Sequence, residues 1–197
     1  LRGNPIFVPI RASQFELREK ASRFLVFVFP VGSVFEAEER LETLKKEYFD
    51  ATHICFTWVI GVGKEEKARR SDAGEPKGTA GPPILDAVRR AGVTNALVAV
   101  VRYFGGTKLG TGGLSRAYRD AAVEALALAG KKELLEEIQL NAPLSLADRL
   151  LNLAKKFGVG VKEKKFGQDA SILFLVPVSR REVFLKEGEK IIGMASG

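Results

Sequence analysis

The run FLVFVFPV, residues 24–31, has the length of a strand and falls far short of the eighteen or more apolar residues that cross a bilayer. It closes an opening that reads as β. The stretches PIFVPI (5–10) and FELREKASRFLVFVFPV (15–31) are rich in Phe, Val and Ile, with turn-prone residues between them. The apolar period then lengthens. In VFEAEERLETLKKEYF, residues Val34, Ala37, Leu41, Leu44 and Tyr48 fall on one helical side, and Ser33 stands where an N-cap belongs. The Glu-rich start and the Lys45–Lys46 pair suit the helix dipole. HICFTWVIGV (53–62) barely alternates and predicts a strand buried on both faces.

Residues 63–83, GKEEKARRSDAGEPKGTAGPP, are charged and rich in Gly and Pro, and predict a long loop, with a solvated hairpin tip as the alternative for the first half. PILDAVRRAG (83–92) predicts a short helix ending at Gly92. NALVAVVRYF (95–104) predicts a strand, and GLSRAYRDAAVEALALAG (113–130) a long Ala-rich helix. Near 131–135 the pattern restarts. LLEEIQLNAP reads as a strand and LSLADRLLNLAKKFG as an amphipathic helix, its stripe made by Leu146, Leu150, Leu153 and Phe157. Ser145 and Asp148 have the spacing of a capping box. VGVKEKKFG and ASILFLVPV predict a hairpin around Gly167–Gln168, and SRREVFLKEGEKIIG a last helix. The β-α-β-β-α order fits a small ferredoxin-like sandwich without its final strand. The expectation is therefore an α+β protein of two domains, 1–133 and 134–197.

Charge sharpens this picture. The chain carries a net charge of +7. Residues 1–134 hold 21 Lys and Arg against 16 Asp and Glu, while 135–197 hold 10 against 8, so the excess sits mainly in the first part. Within it, residues 98–119 carry Arg102, Lys108, Arg116 and Arg119 and no acid. Such a balance permits attraction to nucleic acid without establishing it. The single cysteine, Cys55, excludes an internal disulfide and a multi-cysteine zinc site. With no charged-then-apolar leader in view, a reducing cytoplasm and no membrane association are expected.

The stretch RYFGGTKLGTGGLSRAYRD (102–120) combines glycines and cations between a strand and a helix. Two nucleotide motifs fail on named residues. The spacing Gly105 to Gly110 suits a P-loop, but Thr111 stands where the phosphate-binding lysine belongs. Gly110-Thr-Gly112-Gly-Leu-Ser115 places serine third in the dinucleotide fingerprint, and Glu133 lies past a helix where a strand end is needed. The general mechanism survives. A helix opening near Gly112–Gly113 presents unpaired N–H groups and a positive dipole end, with Arg102, Lys108 and Arg116 available around it. Glycines serving only tight turns and close packing, beside solvated cations, remain the alternative.

Taken with three upstream stretches, this one resembles the signature of the IMPACT family and its bacterial YigZ branch. The stretches are KASRF (20–24), DATHICF (50–56) and SDAGEPKGTAGPPIL (71–85), in the family's order over residues 20–120. The resemblance implies an N-terminal domain like the second domain of a small-subunit ribosomal protein, with a left-handed β-α-β crossover. It also implies a C-terminal ferredoxin-like domain similar to modules of translational GTPases. Bacterial members of the family are suspected nucleic-acid or ribosome binders. Eukaryotic members restrain an amino-acid-starvation kinase of translation initiation by competing for its activator. Those proteins carry an extra N-terminal module, and that partner is not carried over to these residues. On matching positions the implied functional surface comprises Arg23, His53, Asp72, Glu75, Arg102, Lys108 and Arg116. Ala73 stands where the family often has a second acid, which weakens a carboxylate metal site. Arg119–Asp120 replaces the small residues that usually follow RAY; Arg119 either extends the basic patch or pairs within the helix.

Three functions compete. In the first, a non-catalytic protein linked to translation or its regulation binds RNA or the ribosome through Arg23, Arg102, Gly105, Gly106, Lys108, Gly110, Gly112, Gly113, Arg116 and Arg119. Phosphate contacts then dominate affinity. Tyr103 or Phe104 would stack on bases, but not both, because successive strand residues face opposite ways. In the second, a phosphoryl-transfer or hydrolytic enzyme holds Mg²⁺ on Asp72 and Glu75, grips phosphate with Arg102 and Lys108, and uses His53 as base. A Cys55–His53 nucleophilic pair is a weaker variant, since a lone Cys in an apolar strand is usually core. In the third, the same surface docks an acidic protein partner. The first is the expectation, with no catalytic residue, metal or cofactor assigned.

Overall fold

Along the strand β3 (Ser22–Pro30), Phe24, Val26 and Val28 point to one side and Leu25 and Phe27 to the other, and all five are buried. That is why its apolar run does not alternate: the strand is covered on both faces. The computed structural model describes residues 4–193, which divide into two units. One is Phe7–Lys132; the other joins the residues up to Ile6 to those from Glu133 on.

In the first unit a five-stranded sheet runs in the order β2 (Ser13–Glu19), β3, β6 (Ala96–Tyr103), β4 (His53–Ile60), β5 (Lys67–Ser71). All neighbours are antiparallel. Because β3 and β4 both oppose β6, they are parallel to each other, and the helix α1 (Val34–Glu47) connects them. Residues Ala96–Val101 of the central strand have no exposed surface. On one face Val26, Val98, Val100 and Cys55 pack against α2 (Gly81–Ala91) and α3 (Gly110–Ala129). On the other, Phe27, Leu97, Ala99 and Trp58 pack against Ala37, Leu41 and Leu44 of α1. Burying each large side chain contributes about 1.5–3 kcal/mol. A separate two-stranded ladder joins β1 (Phe7–Pro9) to β7 (Lys131–Glu133).

Ser33 caps α1 as expected, its Oγ accepting the Glu36 N–H at 3.1 Å, and Glu36 Oε2 accepts the Gly32 N–H at 2.8 Å. Residues 63–83 are not one loop. After a 3-10 turn at Gly63–Glu65, KARRS forms β5 against β4, so the hairpin alternative holds for the first half. The strand escapes a periodicity argument because Ala68 is its only apolar residue, as suits an edge. The helix α3 begins at Gly110, three residues before the sequence expectation, because its glycines enter the first turn.

The second unit has the order β8 (Leu135–Pro143), α4 (Ala147–Phe157), β9 (Gly160–Phe166), β10 (Asp169–Pro177), α5 (Arg181–Gly193). Its sheet order is β8-β10-β9, with β10 antiparallel to both neighbours, so β8 and β9 are the parallel pair of a split β-α-β. Ile172, Phe174 and Val176 of β10 share a core with Leu150, Leu153 and Phe184 of the helices. The expected capping box at Ser145–Asp148 does not form. A 3-10 turn at Leu144–Leu146 runs straight into α4, and no side chain caps the helix start. Among the described residues no helix is long and apolar enough to cross a membrane.

Candidate functional site

Strand alternation places Arg102 on the same side of β6 as Val98 and Val100, facing the α2–α3 layer, where an unpaired cation would be very costly. Its Cα partners across the sheet are Phe24 and His53. Arg102 is 4% exposed, and its guanidinium is met on several sides. Nη1 donates to Glu75 Oε1 at 2.5 Å and Nη2 to Ser22 Oγ at 3.1 Å. The Phe24 and Phe104 rings lie at 5.3 and 5.5 Å from its central carbon, in cation–π geometry. Its Nε is buried without a hydrogen-bond partner among the described residues.

Glu75 comes from the turn DAGEP, which Asp72 organises. The Asp72 carboxylate accepts the N–H groups of Gly78, Ala80 and Gly81 at 2.8, 3.0 and 2.9 Å, and so caps α2 from a distance. Burial alone would raise its pKa, but these three donors, with Arg70 nearby, hold it below the usual carboxylate value. Ala73 and Gly74 take positive φ, and Glu75 is turned inward to 7% exposure. Its Oε1 also accepts from Tyr118 Oη at 2.8 Å. The Tyr118 hydroxyl is pushed up by burial first and then by the neighbouring Cys55 and Glu75. The Cys55 thiol lies 3.0 Å from the Asp72 carbonyl oxygen and 3.3 Å from Tyr118 Oη. Burial pushes it up to about 12, so a thiolate does not form near neutrality. The His53 Nδ1 sits 2.9 Å from the Ala73 carbonyl oxygen, which requires a proton on that nitrogen, and Nε2 faces Glu75 Oε2 at 3.8 Å.

Of the residues picked from the sequence, Arg102, Glu75, Asp72 and His53 thus lie in one polar cluster in the sheet–helix layer. Ser22 and Tyr118 were missed. Tyr118 carried a signal, being a hydroxyl in a helix stripe otherwise made of Leu114, Ala117, Ala121 and Ala125. Both carboxylates proposed to hold a cation are committed elsewhere, Asp72 to backbone donors and Glu75 to Arg102 and Tyr118.

The exposed positions lie just beyond the end of β6. Phe104 is 45% exposed, whereas Tyr103 packs against the α1 side with its hydroxyl on Asp50. The Phe104 N–H donates to Thr52 Oγ1 at 3.0 Å, and a Cβ on Gly105 would stand 2.0 Å from the Ala21 carbonyl oxygen. Glycine is required there by close approach to the β2–β3 turn, in which Lys20 and Ala21 both have positive φ. Gly106 and Gly110 take positive φ with open space around them, and Gly110, Thr111 and Gly112 are exposed. No side chain caps the α3 start. Gly113 lies beside Leu109, and an Arg116 terminal nitrogen is 3.6 Å from where a Gly112 Cβ would stand. Lys108 and Arg116 are exposed. Arg23 pairs with Glu16 at 3.0 Å and Arg119 with Asp120 at 3.0 Å.

The class these features define is a two-unit protein of mixed helices and sheets whose larger unit carries a buried Arg–Glu–Tyr cluster beside an exposed cationic glycine loop. Residues 20–126 match the Impact N-terminal domain. IMPACT family member YvyE of Bacillus subtilis is 32% identical over 165 residues, 83% of this chain and 76% of the relative. YigZ of Escherichia coli is 41% identical over 108 residues, 54% of this chain and 53% of the relative. Among solved structures, the crystal structure of a hypothetical protein superposes with a TM-score of 0.63 at 28% identity, covering 93% of this chain and 90% of that one. The chain belongs to the IMPACT family.

Proposed function

We propose that this protein is a non-catalytic RNA binder, acting on free RNA or on ribosomal RNA in translation or its regulation. The observation that carries the reading is the surface around Lys108 and Arg116. Both are exposed, neither has an acid on its own segment between residues 98 and 119, and both belong to the loop and first turn of an uncapped helix. Unpaired N–H groups, a positive dipole end and two cations together suit backbone phosphates. The ribosomal-protein-like and translational-GTPase-like folds implied by the family resemblance agree with such a partner. An enzyme of phosphoryl transfer is less well supported, because Asp72, Glu75 and Cys55 are engaged in holding the fold.

The test is binding of the full chain to a fluorescent RNA and co-sedimentation with ribosomes, each with Lys108→Glu and Arg116→Glu alone and combined. The double variant is expected to lose at least tenfold in affinity while keeping its melting temperature. Unchanged binding in that variant overturns the assignment. A partner that is captured by the wild type and survives nuclease treatment points instead to an acidic protein.

A further inference from the structure

We infer that Phe104 is a stacking platform for an unpaired nucleobase, so that the nucleic acid this surface takes is single-stranded. The inference rests on the RNA-binding reading above and narrows it. A lone exposed Phe is ordinary, but this one is held. Its backbone N–H is fixed by Thr52, the next residue is locked against Ala21, and the Arg102 guanidinium lies over its ring. Arg102 is buried and covers one face of the ring, so a base would take the other. The guanidinium behind the ring favours one orientation of the aromatic before any ligand arrives, which limits the ordering cost of stacking.

The neighbourhood supplies the second element. Lys108 is four residues further on, so its Cα lies within about 14 Å of that of Phe104 by chain reach alone. In this proposal Lys108 and the α3 start take the phosphates that flank a base on the ring. An aromatic platform beside a cationic backbone track is the arrangement that takes single strands, whereas a base inside a duplex has no free face.

The experiment compares the full chain with Phe104→Leu and Phe104→Trp, using a labelled single-stranded 12-mer RNA and a duplex of the same length at fixed salt. The single strand is expected to bind at least tenfold more tightly than the duplex. Phe104→Leu is expected to lower single-strand affinity on the order of tenfold with an unchanged salt slope, and Phe104→Trp to retain it. In the wild-type chain, an RNA carrying 5-iodouridine is expected to photo-crosslink at Phe104, a readout independent of how any variant folds. Equal binding by Phe104→Leu, or crosslinks only elsewhere, overturns the platform even where Lys108→Glu and Arg116→Glu still abolish binding. A preference for duplex overturns it too. Absence of binding to either RNA overturns the RNA reading along with it.

Discussion

Truncating Glu75 to alanine leaves the buried Arg102 guanidinium with only Ser22 and two rings for company. Stranding a buried charge typically costs about 3–5 kcal/mol, and a urea titration of Glu75→Ala is expected to show a loss of that size. The double replacement Glu75→Met/Arg102→Met is expected to recover most of it, since it removes the stranded charge. The thiol next door gives a second check. With Cys55 pushed up to about 12 and buried, it should resist alkylation at pH 8 in the native state and react promptly in denaturant. Arg102 was expected among the exposed cations of the glycine loop, yet the reason for its burial, its alternation with Val98 and Val100, was legible in the sequence. Its partner was not, since Glu75 lies 27 positions away in a turn whose inward rotation depends on backbone donors reaching Asp72.

At the scale of elements, α2 depends on a carboxylate outside it. The Asp72 pKa is lower in the folded chain than in the unfolded one, so its stabilisation is complete above the unfolded value of about 3.9 and lost as pH falls through the lower folded value. Melting temperatures measured between about pH 5 and pH 2 should decline in the wild type and decline less in Asp72→Asn, which starts lower. Helices with clear apolar stripes and the buried strands were legible from periodicity alone. The strand β5 was not, because an edge strand read as Lys-Ala-Arg-Arg-Ser has no period to find. Nor was the true start of α3, since three glycines within four residues look like loop until packing of Leu114, Ala117 and Tyr118 draws the chain into a helix. At the start of α4 a local capping signal lost to the 3-10 turn set up after Pro143.

Over the whole chain, the charge excess of +7 is small, and its placement matters more than its size. On the proposed reading, binding to single-stranded RNA weakens linearly in log–log plots against salt, with a slope of about 0.7 for each phosphate neutralised. The slope should fall by about that amount in Lys108→Ala and in Arg116→Ala, and by roughly twice that when both are changed. A variant that loses affinity without changing slope would have lost something other than a phosphate contact.

The central position of β6 carries a consequence for biosynthesis. One edge of β3 is covered early by the β2 hairpin, but its other neighbour, which also joins it to β4, is made only when the ribosome reaches Ala96–Tyr103. At roughly 5–20 residues per second, the Phe- and Val-rich edge of β3 waits on the order of 4–15 s with its hydrogen-bonding groups open, the circumstance in which strands pair with the wrong chain. Nascent chains arrested before Ala96 are expected to be cut readily by protease within residues 22–60. Those whose α3 has cleared the exit tunnel are expected to be protected there.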